Sequence, residues 1–162
     1  MDNKVVTTVA RAMLDLGAAT WRFNFRGTGQ SEGAYDHGKG EVADLAAVVA
    51  HARAQYPGLP VWLCGFSFGA FVSICAAQQL TVDRLLSIAP PAGKWDFSGL
   101  AEPQMSWWVV QGEQDEVIAP EAVYQWLDSL LVKPTLIRMP EASHFFHGLL
   151  LPLREHIMQA WR

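Results

Sequence analysis

A serine lies at the centre of a short segment bracketed by glycines, Gly65-Phe-Ser-Phe-Gly69, between two apolar runs. The run before it predicts a strand and the run after it predicts a helix. This arrangement is the sequence form of a nucleophile elbow, a sharp turn that presents the serine hydroxyl. We expect glycine at both ends because a Cβ at either position would clash with nearby backbone. The first helical amides, beginning with Phe68, are suited to stabilise a negative charge beside the serine oxygen.

A serine hydroxyl is a weak nucleophile and needs a base, usually a histidine whose tautomer a carboxylate fixes. After an elbow of this kind, the acid and then the base follow the serine along the chain. Asp115 follows the predicted strand at residues 106–111, and His144 follows the predicted strand at residues 135–139. We therefore predict that Ser67 is the nucleophile, Asp115 the acid and His144 the base.

Other residues compete for the last two roles. Asp96 also follows a predicted strand and is the main alternative acid, and Glu113 and Glu116 flank Asp115 in the same turn. The shorter side chain of Asp115 is more easily fixed in a turn, which favours it. His147 is the alternative base, but it lies further from its strand, at the predicted start of a helix.

The composition is that of one folded domain with a sizeable apolar core. The chain has 162 residues, of which 51% are hydrophobic, and a net charge of -4. We predict a single domain over residues 1–162. The absence of a basic run disfavours nucleic acid as a partner, and no apolar stretch approaches the ~18 residues of a membrane span. The first residues do not resemble a signal peptide, and Cys64 and Cys75, which we expect to be buried, cannot form a disulfide framework. We therefore expect a cytoplasmic protein.

Helical and strand-like periodicities alternate along the chain. We predict helices over residues 3–16, 41–56, 120–131 and 145–161, the last with a break near Pro152, and further strands over residues 20–25, 84–89, 106–111 and 135–139. This alternation implies an α/β fold with a mainly parallel central sheet and helices on both faces. The connection over residues 90–105 is too short for a lid domain, so we expect an open site.

Two other kinds of site are disfavoured. Gly27, Gly29 and Gly33 form a glycine-rich loop, but their spacing departs from the dinucleotide-binding pattern. We expect no cofactor there, and instead a flexible loop beside a ligand site. The histidines and cysteines lack metal-ligand spacing, so we expect no metal. Aromatic side chains near the elbow and the predicted base are suited to an apolar pocket wall. We predict that this wall includes Phe66, Trp95, Phe145 and Phe146.

Several segments together resemble the α/β-hydrolase superfamily, in its small lidless branch akin to dienelactone hydrolases. They include Arg22-Phe-Asn-Phe-Arg-Gly-Thr-Gly-Gln-Ser-Glu-Gly33, Gly65-Phe-Ser-Phe-Gly-Ala70, Gln111-Gly-Glu-Gln-Asp115 and Met139-Pro-Glu-Ala-Ser-His144. The resemblance implies the same nucleophile, acid and base as the spacing predicts. Dienelactone hydrolases proper use a cysteine nucleophile. A serine therefore points to a general hydrolase of small carboxylic esters or thioesters.

The chain differs from this family at its N-terminus. The family's domain begins with further strands, and a loop after the third strand supplies a second oxyanion amide, whereas residues 1–16 resemble the helix after that loop. We therefore expect a start within a longer protein, with the first strands and the second donor missing. The predicted strand at residues 20–25 would then lie beside a gap, and an exposed sheet edge would favour a homo-oligomer. The alternative to an ester hydrolase is a weak or inactive fragment that acts as a binding domain.

Overall fold

Helices and strands alternate along most of the chain, as the hydrophobic periodicity predicts. The computed structural model describes residues 2–162. In these residues the strands are β1 (Trp62–Phe66), β2 (Arg84–Ile88), β3 (Ser106–Gly112) and β4 (Thr135–Met139). The helices are α1 (Lys4–Asp15), α2 (Lys39–Gln55), α3 (Phe68–Ala76), α4 (Pro120–Ser129) and α5 (Leu150–Trp161).

The four strands form one parallel sheet in the order β1-β2-β3-β4. Each strand therefore lies beside the strand that precedes it in the chain, and each connection crosses over a face of the sheet. The carboxyl ends of all four strands meet at one edge, where loops from separate parts of the chain come together. The predicted mainly parallel α/β fold is confirmed.

Helices cover both faces of this sheet, which also confirms the prediction. On one face, α2, α3 and α4 pack against strand residues such as Leu85 and Val109 in one apolar cluster. On the other face, α1 and α5 pack against residues such as Leu86 and Val110 in a second cluster. The central strands β2 and β3 are buried on both faces over most of their length, which explains why their apolar residues are consecutive and do not alternate.

The predicted strand at residues 20–25 is wrong. This segment forms no strand, and no described residue pairs with it in a sheet. Its aromatic alternation instead places Phe23 and Phe25 against the cluster that contains α2 and α3. Trp21 contacts the ring of Tyr56 beyond the end of α2, with ring centroids 5.6 Å apart. The alternation therefore reflects the packing of one face of an extended segment, without the ladder of hydrogen bonds that defines a strand.

Two further local predictions need correction. The last helix begins at Leu150, so Pro152 lies in its first turn, where its missing N–H has no helical acceptor to lose. The expected break is therefore absent. The expected burial of both cysteines is also wrong, since Cys64 in the edge strand β1 is exposed and Cys75 is half-buried. Among the described residues, no helix is both long and apolar enough to cross a membrane.

Candidate active site

Ser67 lies between β1 and α3 in a strained turn. Its backbone has φ 53° and ψ -118°, in a region that non-glycine residues seldom adopt. Its N–H donates to the Ile88 carbonyl of the neighbouring strand at 2.8 Å, which holds the turn at the sheet edge. The Ser67 hydroxyl is half-buried and makes no hydrogen bond within residues 2–162. The sharp turn predicted between the strand and the helix is therefore present, with Ser67 at its tip.

The two glycines of the elbow differ in their need for a small side chain. A Cβ at Gly65 would lie 2.2 Å from the Gly69 carbonyl oxygen, so no larger residue fits at Gly65 without moving backbone. At Gly69 nothing lies within 4 Å of the added Cβ, and φ there is not positive. The close approach predicted for Gly65 is confirmed, and the clash predicted for Gly69 is wrong.

Asp115 and His144 form a buried pair. The loop after β3 carries Asp115, whose Oδ2 lies 2.8 Å from His144 Nδ1 in the loop after β4. The side chains are 0% and 3% exposed, respectively, so solvent competes little for this contact. The second carboxylate oxygen, Oδ1, accepts the N–H groups of Val117 and Ile118 at 2.9 and 2.7 Å.

These donors govern the charge of Asp115. Burial acts to raise the pKa of this carboxyl group, but the hydrogen bonds from His144 and from the Ile118 and Val117 amides outweigh it. They hold the Asp115 pKa below its usual value. The group is therefore a carboxylate at neutral pH. It accepts the Nδ1–H of His144, which directs the ring's Nε2 away from Asp115.

The loop that carries Asp115 and the loop that carries His144 are joined by their backbones as well. Gln114 N–H donates to the Ala142 carbonyl at 3.0 Å, and Glu113 N–H donates to the Met139 carbonyl at 3.0 Å. Gly112 allows this approach, since a Cβ there would lie 2.4 Å from the Ala142 oxygen. Glu116 adds a further link.

The Glu116 carboxylate accepts the backbone N–H of His144 at 3.1 Å. That hydrogen bond lowers the pKa of Glu116. Asp115 and Glu116, neighbours in sequence, thus hold one histidine by its ring and by its backbone.

The competing residues have other partners. Asp96 lies in an exposed turn, where its Oδ1 accepts the N–H and the hydroxyl of Ser98 at 2.8 and 2.6 Å. Glu113 accepts from the Tyr124 hydroxyl at 3.3 Å. His147 is exposed and contacts the ring of Phe145. Of the acids and histidines named in the sequence analysis, only Asp115 and His144 contact each other through their side chains.

Aromatic rings surround the elbow on two sides. Phe66 packs on His144 with centroids 5.0 Å apart, and Phe145, which is 43% exposed, contacts both of those rings. On the other side, Phe68 contacts Trp95 at 5.1 Å and the exposed ring of Tyr35 at 5.7 Å. Tyr35 was not among the predicted pocket residues, because it precedes the serine by a long stretch of sequence.

Phe146 is a correction to the predicted pocket. Its φ is 54°, and its side chain is fully buried in the cluster beneath α1 and α5. Adjacent phenylalanines thus differ, since Phe145 is exposed whereas Phe146 is part of the core. A side chain without exposed surface does not line a pocket.

Comparisons with known proteins agree with this geometry. Residues 3–97 match the family model described as "Serine aminopeptidase, S33". This match covers more than half of the chain. The chain belongs to this family of α/β-hydrolases.

Solved structures with the same fold include an α/β serine hydrolase without a lid from Xanthomonas campestris. It is 53% identical, with a TM-score of 0.94 over 99% of this chain and 75% of that one. An α/β serine hydrolase homologue from Coxiella burnetii is 44% identical. Its TM-score is 0.96 over 100% of this chain and 78% of that one.

A curated relative is similar to most of this chain but is longer. An uncharacterized protein from Rickettsia prowazekii is 32% identical over 156 residues. The match covers 90% of this chain and 66% of that protein. The predicted α/β-hydrolase resemblance is therefore confirmed, and the family members that it matches extend beyond the matched region.

Proposed function

We propose that the chain is a serine hydrolase that cleaves small carboxylic esters or thioesters through an acyl-enzyme intermediate. The observation that carries this proposal is the buried 2.8 Å contact between Asp115 Oδ2 and His144 Nδ1. It lies at the sheet edge where β1 ends in the strained serine turn. Membership of a hydrolase family, and the similarity to serine hydrolases of known structure, support the same conclusion.

Each residue has one role in the proposed reaction. His144 Nε2 takes the proton of the Ser67 hydroxyl as that oxygen attacks the carbonyl carbon, and the carbonyl oxygen becomes an oxyanion. The N–H of Phe68, the first residue of α3, donates to this oxyanion. The imidazolium then gives its proton to the departing alcohol or thiol, while the Asp115 carboxylate stabilises it. Water, deprotonated by the same histidine, attacks the acyl-serine, releases the acid and restores the serine hydroxyl.

The surroundings of the elbow favour small substrates. The connection between β2 and β3 contains no helix, and the rings of Phe66, Trp95 and Phe145 retain exposed surface. An open apolar wall of this kind suits a short acyl group, because a long lipid chain would remain largely in water. We therefore expect p-nitrophenyl acetate to be hydrolysed faster than p-nitrophenyl decanoate.

A fluorophosphonate probe tests the nucleophile directly. We expect the chain to be labelled, Ser67→Ala to abolish labelling, and Ser98→Ala, a change at another serine in a loop, to leave it intact. Labelling that survives Ser67→Ala would refute this nucleophile. Because amides pass through the same tetrahedral intermediate, an amino-acid p-nitroanilide belongs in the substrate panel to separate peptidase from esterase activity.

The alternative is a binding domain without turnover. The observation that favours it is the outer edge of β1, with which no strand of the described residues pairs. A folded chain that neither reacts with the probe nor hydrolyses either ester would support this alternative. Self-association through that edge and a cytoplasmic location stay predictions.

A further inference from the structure

Gln111 is a fully buried polar residue within an otherwise apolar strand. It is the last residue but one of β3 and follows Trp107, Trp108, Val109 and Val110. Its side chain has no exposed surface, although glutamine is among the residues that are mostly exposed in folded proteins. Its position, four residues before Asp115, places it beneath the Asp115–His144 pair. A buried amide in this position needs an explanation from its contacts.

The two polar atoms of the Gln111 side chain, Nε2 and Oε1, differ in their contacts. Nε2 donates to the Gly112 carbonyl at 3.0 Å and to Asp115 Oδ2 at 3.2 Å, so both of its protons have acceptors. Oε1 is buried and has no hydrogen-bond partner among the described residues. If the positions of Nε2 and Oε1 were exchanged, Oε1 would face the Gly112 carbonyl oxygen and Asp115 Oδ2, which cannot donate to it. The contacts therefore support the orientation described. A buried unpaired acceptor destabilises a fold, whereas an apolar side chain of similar size would avoid that loss. The side chain of Gln111 therefore makes its hydrogen bonds through Nε2 as a donor.

The acceptor that Gln111 reaches is the oxygen that holds His144. Oδ2 of Asp115 contacts both Gln111 Nε2 and His144 Nδ1, while Oδ1 is held by two backbone amides. Without Gln111, the backbone donors would restrain only the far side of the carboxylate. We propose that Gln111 is a positioning residue that holds Asp115 Oδ2 towards His144. This inference rests on the proposed function of the pair.

The isosteric variant Gln111→Glu gives the sharpest test. While the new carboxyl group is protonated, its O–H replaces the amide as a donor to Asp115. When it ionises, two carboxylates face each other and the donor is lost. We therefore expect kcat/KM of Gln111→Glu, divided by that of the wild type, to approach 1 at low pH and to fall about tenfold as the pH rises. Gln55→Glu is the control, since Gln55 is exposed at the end of α2 and its side chain has no hydrogen bond among the described residues; its ratio should not change with pH.

Gln111→Met removes the donor at every pH. We expect about a tenfold loss of kcat that does not vary with pH, with KM nearly unchanged, because the residue acts through Asp115 and does not touch the substrate. The outcome that would overturn the proposal is a ratio for Gln111→Glu that varies with pH as little as the ratio for Gln55→Glu. Thermal unfolding of each variant shows whether the fold is retained.

A spectroscopic readout separates this proposal from the proposed function. The Nδ1 proton of His144, bonded to a buried carboxylate, should give a low-field proton resonance in the wild type and in Gln55→Glu. We expect it to shift or broaden in Gln111→Met. An unchanged resonance would refute the positioning role, whatever the activity. If the wild type instead fails to react with the serine probe, the proposed function fails, while the resonance still decides whether Gln111 holds the pair.

Discussion

Ser67 stores backbone strain that a glycine would release. Its φ of 53° with ψ of -118° costs an L-residue about 1–3 kcal/mol, and glycine adopts it freely. Glycine also gains about 0.4–1 kcal/mol of conformational freedom in the unfolded chain. The difference predicts that Ser67→Gly is more stable than Ser67→Ala by about 1–2 kcal/mol. Both variants lack the hydroxyl, which has no hydrogen-bond partner in residues 2–162, so the comparison isolates the backbone.

Urea and thermal unfolding measure this difference. For a chain of this size, 1 kcal/mol corresponds to a shift in Tm of about 2–4 °C, so Ser67→Gly should melt about 2–8 °C above Ser67→Ala. Ser73, in the middle of α3, provides the control pair, because its backbone is helical and its hydroxyl donates to the Gly69 carbonyl in the wild type only. There, the glycine variant should be about 1 kcal/mol less stable than the alanine variant. Equal stability of the two Ser67 variants, or a more stable alanine, would refute the argument from strain.

Two further predictions concern the turn and the acid. Gly65→Ala should destabilise the fold by about 3 kcal/mol, because its Cβ would lie 2.2 Å from a backbone oxygen. Gly69→Ala, in open space within α3, should be neutral or stabilising by up to about 1 kcal/mol. Equal urea midpoints for the two variants would contradict this. The folded-state pKa of Asp115 is below its usual value, so its carboxylate stabilises the fold above about pH 4, and this stability is lost as the pH falls through the folded pKa. Asp115→Asn should therefore show a weaker decrease in the free energy of unfolding below about pH 4 than the wild type. Parallel pH curves would show that the carboxylate is not selectively stabilised.

Most elements were predictable because burial on two faces leaves a clear pattern. The runs that became β1 to β4 are short, apolar and separated by helical periodicity, which defines a parallel sheet. Residues 20–25 show the limit of this reasoning. Alternation reports which side chains face the core, as it does for Phe23 and Phe25, but it contains no information about a neighbouring strand. Pairing also requires a neighbouring strand from elsewhere in the chain, which alternation within one segment does not reveal.

The candidate site was also predictable only in part. The chain order and the strand ends were enough to propose Asp115 and His144, yet Asp96 satisfied the same rule. The choice depended on which loops meet in space, and Gly112 decides that by admitting the Ala142 carbonyl. Gln111 had a sequence signal, since it is a lone amide in an apolar strand, but its partner could not be inferred. Hydrogen-bond partners depend on side-chain directions that spacing does not reveal.

Backbone strain is concentrated where the proposed chemistry would occur. Ser67, Ala89 and Phe146 all have positive φ, and they follow β1, β2 and β4 at the carboxyl edge of the sheet. Each such residue costs about 1–3 kcal/mol, so neighbouring contacts must hold it. Ala89 and Phe146 are fully buried, and the Ser67 and Ala89 amides donate to carbonyls of adjacent strands. The packing of the sheet therefore holds the serine turn and the histidine loop in place, and changes in that packing should affect the site before they unfold the chain.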